Sequence, residues 1–469
     1  MQKKQTSTSE SAMLPVIFTL AWPTMLEQLM QTAVQYIDTA MVGSLGTSAT
    51  AAVGATTTVN WLVNSTVSAL GIGFLSFIAR AYGANDKEKA ARITAQAVLA
   101  TLVSGILFTI LTLSLSGVIP VWMKAEPAIV PLASKYFFII YLPMLPRAAT
   151  IIFGTALRAA GDTKTPMKVG FLINMINIVL NFLLIYPTRP ISVFGANLTI
   201  PGAGFGVLGA AAASAIAFAF GGIYMTVVLW RHPVISPKGQ KITPDMEILK
   251  PCLKVTLPNM LQRFGTSLGY VAFASMVNSL GEIAAAAHTI ANTVESAFYI
   301  PGYGMQTAAA TLAGNALGEG NAQKMKDLRK VILKLEVFLM ILTGSLLFIF
   351  APNMMSLFTK DEQVITLGAT VLRMVAVSEP FYGVSIIIEG IMQGVGETVT
   401  PFKFNILGMW GIRIIGTFLC IHYFGGGLVS AWACMIAHNL LLFVLFSIYS
   451  AKGSWNPLNQ PKTTDSTLS

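Results

Sequence analysis

The chain has 469 residues, of which 54% are hydrophobic and only 11% are charged. A soluble domain carries roughly 25% charged residues. This composition therefore excludes a soluble enzyme, a nucleic-acid-binding protein and a disordered chain. The net charge of +10 indicates basic cytoplasmic loops of a membrane protein rather than a surface for nucleic acid.

Twelve apolar segments follow one another along the chain, separated by charged, glycine or proline residues. A helix of about 20 apolar residues crosses the hydrocarbon core, and each segment is long enough to do so. We therefore expect an all-α integral membrane protein with 12 transmembrane helices. The predicted spans are 14–38, 52–79, 93–118, 134–157, 168–186, 205–230, 252–278, 284–313, 329–350, 366–391, 403–423 and 426–450.

The basic residues predict how the chain is oriented. With the N-terminus in the cytoplasm, 22 of the 30 Lys and Arg residues lie in cytoplasmic tails and loops, and five lie outside. This asymmetry predicts a multi-pass protein of the cell membrane with both termini in the cytoplasm. The expected segments are a tail (1–13), a six-helix bundle (14–230), a linker (231–251), a second six-helix bundle (252–450) and a tail (451–469).

The two sets of six spans are predicted to be copies of one unit. The segment 41–46 returns as 276–281, 235 positions later, and Pro23 with Pro258 and Gly83 with Gly318 align at the same offset. Six is an even number, so both copies enter the membrane in the same direction. We expect two bundles related by a pseudo-twofold axis along the membrane normal, with a cavity between them. The first copy carries an insertion in the external loop between residues 186 and 205.

An ionisable residue in mid-span costs at least about 2.5 kcal/mol and so indicates a function. Glu27, Gln31, Gln35 and Asp38 recur every three or four residues, so they share one face of the first span. That face must meet protein or water. We expect Glu27 and Asp38 to be two stations on one pathway.

Asn174, Asn177 and Asn181 form a second polar stripe in the fifth span, and Ser214 lies in the sixth; Asn177, Asn181 and Ser214 are expected to bind the ion together with Asp38. A carboxylate, amide carbonyls and a hydroxyl suit a small cation such as a transient Na⁺ at Asp38 and Asn177, and the carboxylate could bind a proton instead. The alternative is that the Asn and Ser side chains only join helices through hydrogen bonds. The sequence contains no residue pattern typical of a stable metal site or a catalytic centre.

The second half carries its charges at other positions. Glu295, Glu379 and Glu389 lie in the eighth and tenth spans, and Arg413 lies in the eleventh. Arg413 is expected to pair with one of these glutamates, either within a cavity or as an ion pair that joins helices. Glu336 is expected to reach the cytoplasmic surface from the end of its span.

Arg147 in the fourth span lines the cavity or pairs with Glu27. The residues expected to line the pathway are therefore Glu27, Gln31, Tyr36, Arg147, Glu295, Glu379, Glu389 and Arg413.

Over nearly its full length the chain resembles the multidrug and toxic compound extrusion (MATE) family. The resemblance depends on the order and spacing of short segments across twelve spans. They are residues 36–43 (YIDTAMVG), 79–84 (ARAYGA), 157–167 (LRAAGDTKTPM), 206–211 (GVLGAA) and 314–320 (GNALGEG).

The resemblance implies a monomeric antiporter that expels cationic or amphipathic organic compounds in exchange for H⁺ or Na⁺, with no other cofactor. It implies two six-helix bundles around a V-shaped cavity. Asp38 matches the family's first-span aspartate, which is implicated in cation binding, and Asn177 matches the fifth-span asparagine. Ser214 stands where the family often has threonine.

Two departures leave the coupling ion open, with the proton favoured over Na⁺. Asn181 stands where some members have a second aspartate. The seventh span has Gln262 and Arg263 near the place where other branches carry an acid.

A lipid-linked precursor flippase of the same superfamily is the alternative. It would be expected to have more spans and several basic residues in its cavity, whereas only Arg147, Arg263 and Arg413 fall within the spans here. A membrane enzyme or receptor fits the duplicated architecture less well.

Overall fold

The helices of the computed structural model follow the predicted spans. The structure describes residues 10–193 and 196–459, and side chains are described for residues 12–190, 199 and 201–459. The first half contains α1 (Glu10–Gly43), α2 (Thr47–Gly83), α3 (Lys87–Leu115), α4 (Ile119–Trp122), α5 (Val130–Tyr141), α6 (Met144–Ala159), α7 (Lys164–Leu184) and α8 (Val207–Arg231). The second half contains α9 (Met246–Asn278), α10 (Glu282–Gly318), α11 (Ala322–Ser356), α12 (Glu362–Val395), α13 (Val399–Ile406), a π-helical segment (Leu407–Ile414), α14 (Ile415–Phe424) and α15 (Leu428–Lys452).

The described helices account for the twelve predicted spans. Nine are long and apolar enough to cross a membrane, and the bent pair α5 and α6 makes a tenth. The other two are α9 and α10, with 33 and 37 residues. They are also long enough, but polar side chains such as Gln262, Arg263 and Glu295 lower their apolar content.

A bend divides the predicted fourth span, 134–157. Helix α5 ends at Tyr141, α6 begins at Met144, and the two axes differ by 50°. Pro143 stands immediately before α6 and has no backbone N–H to continue the hydrogen bonding of α5. The chain therefore crosses here as two short helices.

The predicted insertion in the external loop forms an antiparallel hairpin. Its strands are β1 (Pro187–Val193) and β2 (Ala196–Ala203). Val193 pairs with Ala196, and Arg189 pairs with Ile200. The connecting residues 194–195 lie outside the described part of the chain. The hairpin is a local addition to a helical fold.

The helices pack as two units that do not coincide with the two sequence copies. One unit contains the chain up to Met25, Leu75–Lys87 and everything from Pro251 onward. The other contains Leu26–Phe74 and Glu88–Lys250. The predicted boundaries at 14–230 and 252–450 describe the copies along the sequence, and they stay a prediction. The outer parts of both predicted tails lie outside the described residues.

Within the first of these units, the ends of α2 and α10 meet in a reciprocal contact. Gly83 lies against the backbone of Asn315, and Gly318 lies against the backbone of Arg80, with no room for a Cβ at either glycine. The repeat aligns Gly83 with Gly318 and Arg80 with Asn315. Gly83 thus contacts the residue that the repeat aligns with Arg80, and Gly318 contacts the residue that the repeat aligns with Asn315. This is the pattern that a local twofold axis produces, and it supports the predicted repeat.

In the other unit, the linker after α8 is fastened to α3. The Gln96 Nε2 donates to the carbonyl of Thr243 (2.9 Å), and its Oε1 accepts from the N–H of Asp245 (3.0 Å). Arg92 forms an ion pair with Asp245 at 2.6 Å. Burial lowers the pKa of His232, and its Nδ1 accepts two backbone hydrogen bonds at the end of α8. The linker therefore has a defined path.

Candidate functional site

The four residues predicted to bind a cation or proton meet in one polar cluster. The Asn181 Nδ2 donates to Asp38 Oδ1 at 2.6 Å and to Asn177 Oδ1 at 3.2 Å. The Asn177 amide contacts Ser214 Oγ at 3.0 Å. Helices α1, α7 and α8 thus bring a carboxylate, two amides and a hydroxyl together.

Helical spacing explains how α7 presents this site. Asn177 and Asn181 are one turn apart on the same face, and their residues are only 5% and 1% exposed. Asp38 on α1 is half-buried. The amides are therefore held in the packed interior, while the carboxylate remains accessible.

The Asn177 amide fits the cluster in two orientations. With Nδ2 toward Asp38, it donates to Oδ1 (2.9 Å) and Oδ2 (3.2 Å), and its oxygen accepts from the Ser214 hydroxyl. With its oxygen there instead, two oxygen atoms face each other at 2.9 Å. A shared proton or a cation stabilises that second contact, since a carboxylate only accepts hydrogen bonds. The first orientation satisfies the Asp38 carboxylate and the Ser214 hydroxyl together.

Glu27 pairs with Arg158, and this pairing rules out the predicted alternative that Arg147 is its partner. The Arg158 Nη2 lies 2.8 Å from Glu27 Oε1 and 2.6 Å from Oε2. The sequence places Arg158 in a cytoplasmic loop, but it belongs to the last turn of α6 and reaches α1.

The Arg147 guanidinium carbon instead lies 4.6 Å from the centre of the Phe218 ring and 5.6 Å from that of Tyr141. Aromatic faces attract a buried cation. The spacing of residues along α6 does not predict these aromatic partners of Arg147.

Gln31 and Tyr36 lie on the accessible part of α1. Both residues are exposed, and Tyr36 retains 43% of its surface. Both lie between Glu27 and Asp38 along one helix, and their place on a pathway stays a prediction.

Glu389 is held by three amides that the sequence analysis did not connect with it. It accepts from Gln262 (2.7 Å), Gln393 (3.1 Å) and Asn405 (3.2 Å). At the offset of 235, the repeat aligns Gln262 with Glu27 and Gln393 with Arg158. The first copy thus has an ion pair where the second has amides around a carboxylate. The repeat alignment is the signal that could have found this cluster.

Arg413 does not form the predicted ion pair with a glutamate among the described residues. Its guanidinium carbon lies 4.3 Å from the Phe273 ring centre and 4.9 Å from that of Tyr270, and its Nη2 lies 2.9 Å from the Met435 sulfur. Its charge reaches Glu295 only over a longer distance. Aromatic rings and a polarisable sulfur stabilise the cation in place of a carboxylate.

The prediction that Glu336 reaches the cytoplasmic surface is wrong. The residue is 0% exposed, and neither carboxylate oxygen has a hydrogen-bond partner among the described residues. Gly302 of α10 and Gly383 of α12 leave the space that its carboxyl group occupies. The position of Glu336 along the sequence of α11 does not indicate that its side chain points into the protein.

The MatE family model matches residues 23–183 and 258–419. The two matches begin at Pro23 and Pro258, the pair that the internal repeat aligns. The chain belongs to the MATE family. It is therefore a multi-pass membrane transporter rather than an enzyme.

Proteins named for multidrug resistance are among the relatives of this MATE transporter. The probable multidrug resistance protein NorM of Thermotoga maritima is 27% identical over 436 residues, which cover 93% of this chain and 92% of that protein. The multidrug resistance protein MdtK of Yersinia pseudotuberculosis is 23% identical and covers 84% of each chain.

Solved structures share the fold. A crystal structure of MATE in complex with MaD3S has a TM-score of 0.86 at 24% identity and covers 97% of this chain and 98% of that chain. The outward-facing conformation of a multidrug resistance MATE family transporter of the MOP superfamily has a TM-score of 0.86 at 23% identity and covers 98% and 100%. The predicted all-α membrane fold of two six-helix bundles is therefore confirmed.

Proposed function

We propose that this MATE transporter is a multidrug efflux antiporter of the cell membrane. It works as a monomer with both termini in the cytoplasm, and it exports cationic or amphipathic organic compounds in exchange for H⁺ or Na⁺. The observation that carries the proposal is the contact of Asp38 with Asn177 and Asn181, of which Asn177 in turn contacts Ser214. The multidrug names of the relatives support the substrate class.

The chemistry of the Asp38 cluster favours the proton as coupling ion. Amide N–H groups from Asn181 and, in one orientation, Asn177 already face the carboxylate oxygens. A Na⁺ ion needs several oxygen ligands turned toward it. A proton needs a single carboxylate oxygen, and the amides can remain as hydrogen-bond partners.

The cycle depends on Asp38 holding its ion in one state more tightly than in the other. An ion from outside binds Asp38, rearranges the first bundle and weakens substrate binding. The substrate leaves outward, and the ion is then released inward. Coupling of this kind requires a difference in affinity between two states, because an ion that binds both equally shifts nothing.

The flippase alternative receives less support. A cavity for a lipid-linked phosphate would present basic side chains, but Arg147 and Arg413 are buried on aromatic rings. Accumulation of a lipid-linked precursor in a deletion strain would favour this alternative.

Dye transport in proteoliposomes tests the proposal, with pH and Na⁺ gradients imposed separately. We expect wild type to move a fluorescent cationic dye and Asp38→Asn to lose about 90% or more of that rate. A hydrogen bond to a charged group contributes roughly 1.5–3 kcal/mol, and asparagine does not carry that charge. Glu362→Gln, an exposed acid in the first turn of α12, is the control and should transport normally.

Two results would contradict the proposal. Normal pumping by Asp38→Asn would make Asp38 a structural residue. No movement of any cationic dye by wild type under either gradient would reject drug antiport.

A further inference from the structure

We propose that Cys420 and Cys434 form a redox-sensitive thiol pair, which a small disulfide oxidant such as oxidised glutathione converts to a disulfide that joins α14 to α15. The two Sγ atoms lie 3.8 Å apart. Both residues are partly buried and carry free thiols. The pair belongs to the second half of the chain, and the proposed antiport cycle does not use it.

The two cysteines lie near the turn that connects α14 to α15. Cys420 is one helical turn before the end of α14 at Phe424, and Cys434 is six residues, or roughly 9 Å, after the start of α15. The three connecting residues, 425–427, are glycines. The Gly426 N–H donates to the carbonyl of Cys420 at 2.8 Å. The turn therefore folds back on Cys420 and holds the ends of the two helices together.

A glycine on α14 allows the two helices to approach closely at this level. A Cβ on Gly416 would lie 3.2 Å from the Sγ of Cys434 and 3.7 Å from its Cβ. The Cys434 side chain therefore packs directly against the backbone of α14. Cys420 lies one turn further along the same face of α14. The two thiols thus face each other where the helices touch.

The distance between the thiols allows a covalent bond after a small movement. The sulfur atoms of a disulfide are about 2.05 Å apart, so the two Sγ atoms must approach each other by about 1.8 Å. Rotation about the two Cα–Cβ bonds moves the sulfur atoms while the helices stay in place. Cys252, the third cysteine of the chain, is only 1% exposed and provides an internal control.

The oxidation proceeds by thiol–disulfide exchange. One cysteine thiolate attacks a sulfur of oxidised glutathione, forms a mixed disulfide and releases one glutathione thiolate. The second cysteine thiolate attacks the cysteine sulfur of that mixed disulfide, forms the Cys420–Cys434 bond and releases the second glutathione thiolate. Two protein thiols are thereby oxidised, and one glutathione disulfide is reduced to two glutathione molecules, which take up the two protons that the cysteines lose.

The location of the glycine turn determines whether such an oxidant is available. In the proposed orientation the turn lies outside the cytoplasm, and this part of the inference rests on the proposed function. Disulfides form and persist outside the cytoplasm, whereas cytoplasmic thiols are kept reduced. The disulfide then restrains the end of α14 relative to α15.

Peptide mass spectrometry of the purified full-length transporter tests the pair. Trypsin releases residues 414–452 as one peptide that contains both cysteines. After reduction and treatment with oxidised glutathione, we expect most of this peptide to be two hydrogen atoms lighter, while Cys252 keeps its thiol. Cys434→Ser should give no such loss. A wild-type peptide that keeps both thiols, or that carries glutathione without the internal bond, would overturn the proposal.

Amide hydrogen exchange measures whether the bond restrains the turn. We expect exchange in residues 421–427 to slow about threefold or more when wild type is oxidised and to recover when it is reduced, because the bond opposes local opening. Cys434→Ser should exchange equally under both conditions. Equal exchange in oxidised and reduced wild type would overturn the restraint of α14.

Oxidised glutathione added to intact, previously reduced cells separates this inference from the proposed function. This charged molecule does not cross the membrane, and we expect it to oxidise the pair from outside. Oxidation of the purified protein but not of the protein in cells would support the thiol pair and contradict the proposed orientation. A failure of dye transport would contradict the antiporter proposal and leave the peptide result unaffected.

Discussion

Asp38 owes its local environment to a few buried side chains. Asn181 is almost fully buried and donates to the carboxylate at 2.6 Å, whereas Asn174, nearly two turns earlier on α7, has an Nδ2 without a hydrogen-bond partner in the described structure. The two asparagines have the same chemistry on one helix. Asn181 is more deeply buried, and of the two only Asn181 contacts the carboxylate in the described structure.

This difference predicts the outcome of a matched pair of substitutions. Asn181→Leu removes the donor to Asp38, and we expect gradient-driven dye transport to fall about tenfold, since a hydrogen bond to a charged group contributes roughly 1.5–3 kcal/mol. Asn174→Leu should transport nearly as well as wild type. Equal effects of the two substitutions in the proteoliposome assay would show that the contact with Asp38 is unimportant.

The Glu27–Arg158 ion pair predicts non-additive effects on stability. The two side chains retain 12% and 17% exposure, so removing one partner leaves the other charge largely buried. We expect Glu27→Gln and Arg158→Gln to couple by about 1–3 kcal/mol in a double-mutant cycle of detergent thermal unfolding. The exchanged pair Glu27→Arg with Arg158→Glu should regain part of the loss. Strict additivity would mean that the pair contributes nothing.

Sequence reasoning found the Asp38 cluster because its signal lies within single helices. One-turn spacing on α7 places Asn177 and Asn181 on one face, whatever that face meets. The partners of Glu27, Arg413 and Glu336 depend on which helix packs opposite, and no spacing within one helix contains that information. Those three contacts were accordingly predicted incorrectly or left open.

At the scale of helices, local chemistry decides where a span ends, but composition alone does not identify every span. Pro143 explains the 50° bend between α5 and α6, and its position in the sequence is consistent with a break. Helices α9 and α10 carry polar residues for packing and for the clusters described above. Their apolar content is therefore lower than that of the lipid-facing helices.

The linker illustrates an element whose order comes from outside it. Gln96 on α3 makes two backbone hydrogen bonds to the linker. We expect Gln96→Leu to raise the rate of tryptic cleavage near Lys238 and Lys241 about fivefold. The reason is that losing these hydrogen bonds lowers the free energy of local opening by roughly 1 kcal/mol. Cleavage is measured on the purified protein, and Gln240→Ala within the linker is the control. Unchanged cleavage in Gln96→Leu would show that α3 does not fasten the linker.

At the scale of the whole molecule, the repeat was visible in the sequence, but the packing units were not. A glycine that lies against the backbone of another helix can be replaced by few other residues. Gly83 and Gly318 therefore identify the offset of the repeat clearly. The assignment of residues up to Met25 and of Leu75–Lys87 to the second-half unit follows from tertiary packing. No change in composition marks those boundaries.

The reciprocal contact predicts matched effects in the two copies. Gly83→Ala and Gly318→Ala each force a Cβ into backbone, and we expect each to destabilise the protein by about 1–3 kcal/mol. Gly54→Ala is the control on α2, because its Cβ would meet nothing within 4 Å. It should be neutral or stabilising by up to about 1 kcal/mol. Thermal unfolding in detergent measures all three, and a stable Gly318→Ala would contradict the contact.

The crossing of α2 and α10 also bears on how such a transporter can arise. Its two sides are interchangeable: Gly83 meets Asn315 as Gly318 meets Arg80. Two identical chains that assemble around a twofold axis make this kind of isologous contact. A free-standing six-helix ancestor would already carry both sides of it. Fusion of two gene copies would then join subunits that could already dimerise, and later substitutions such as Arg80 against Asn315 would be free to make the halves differ.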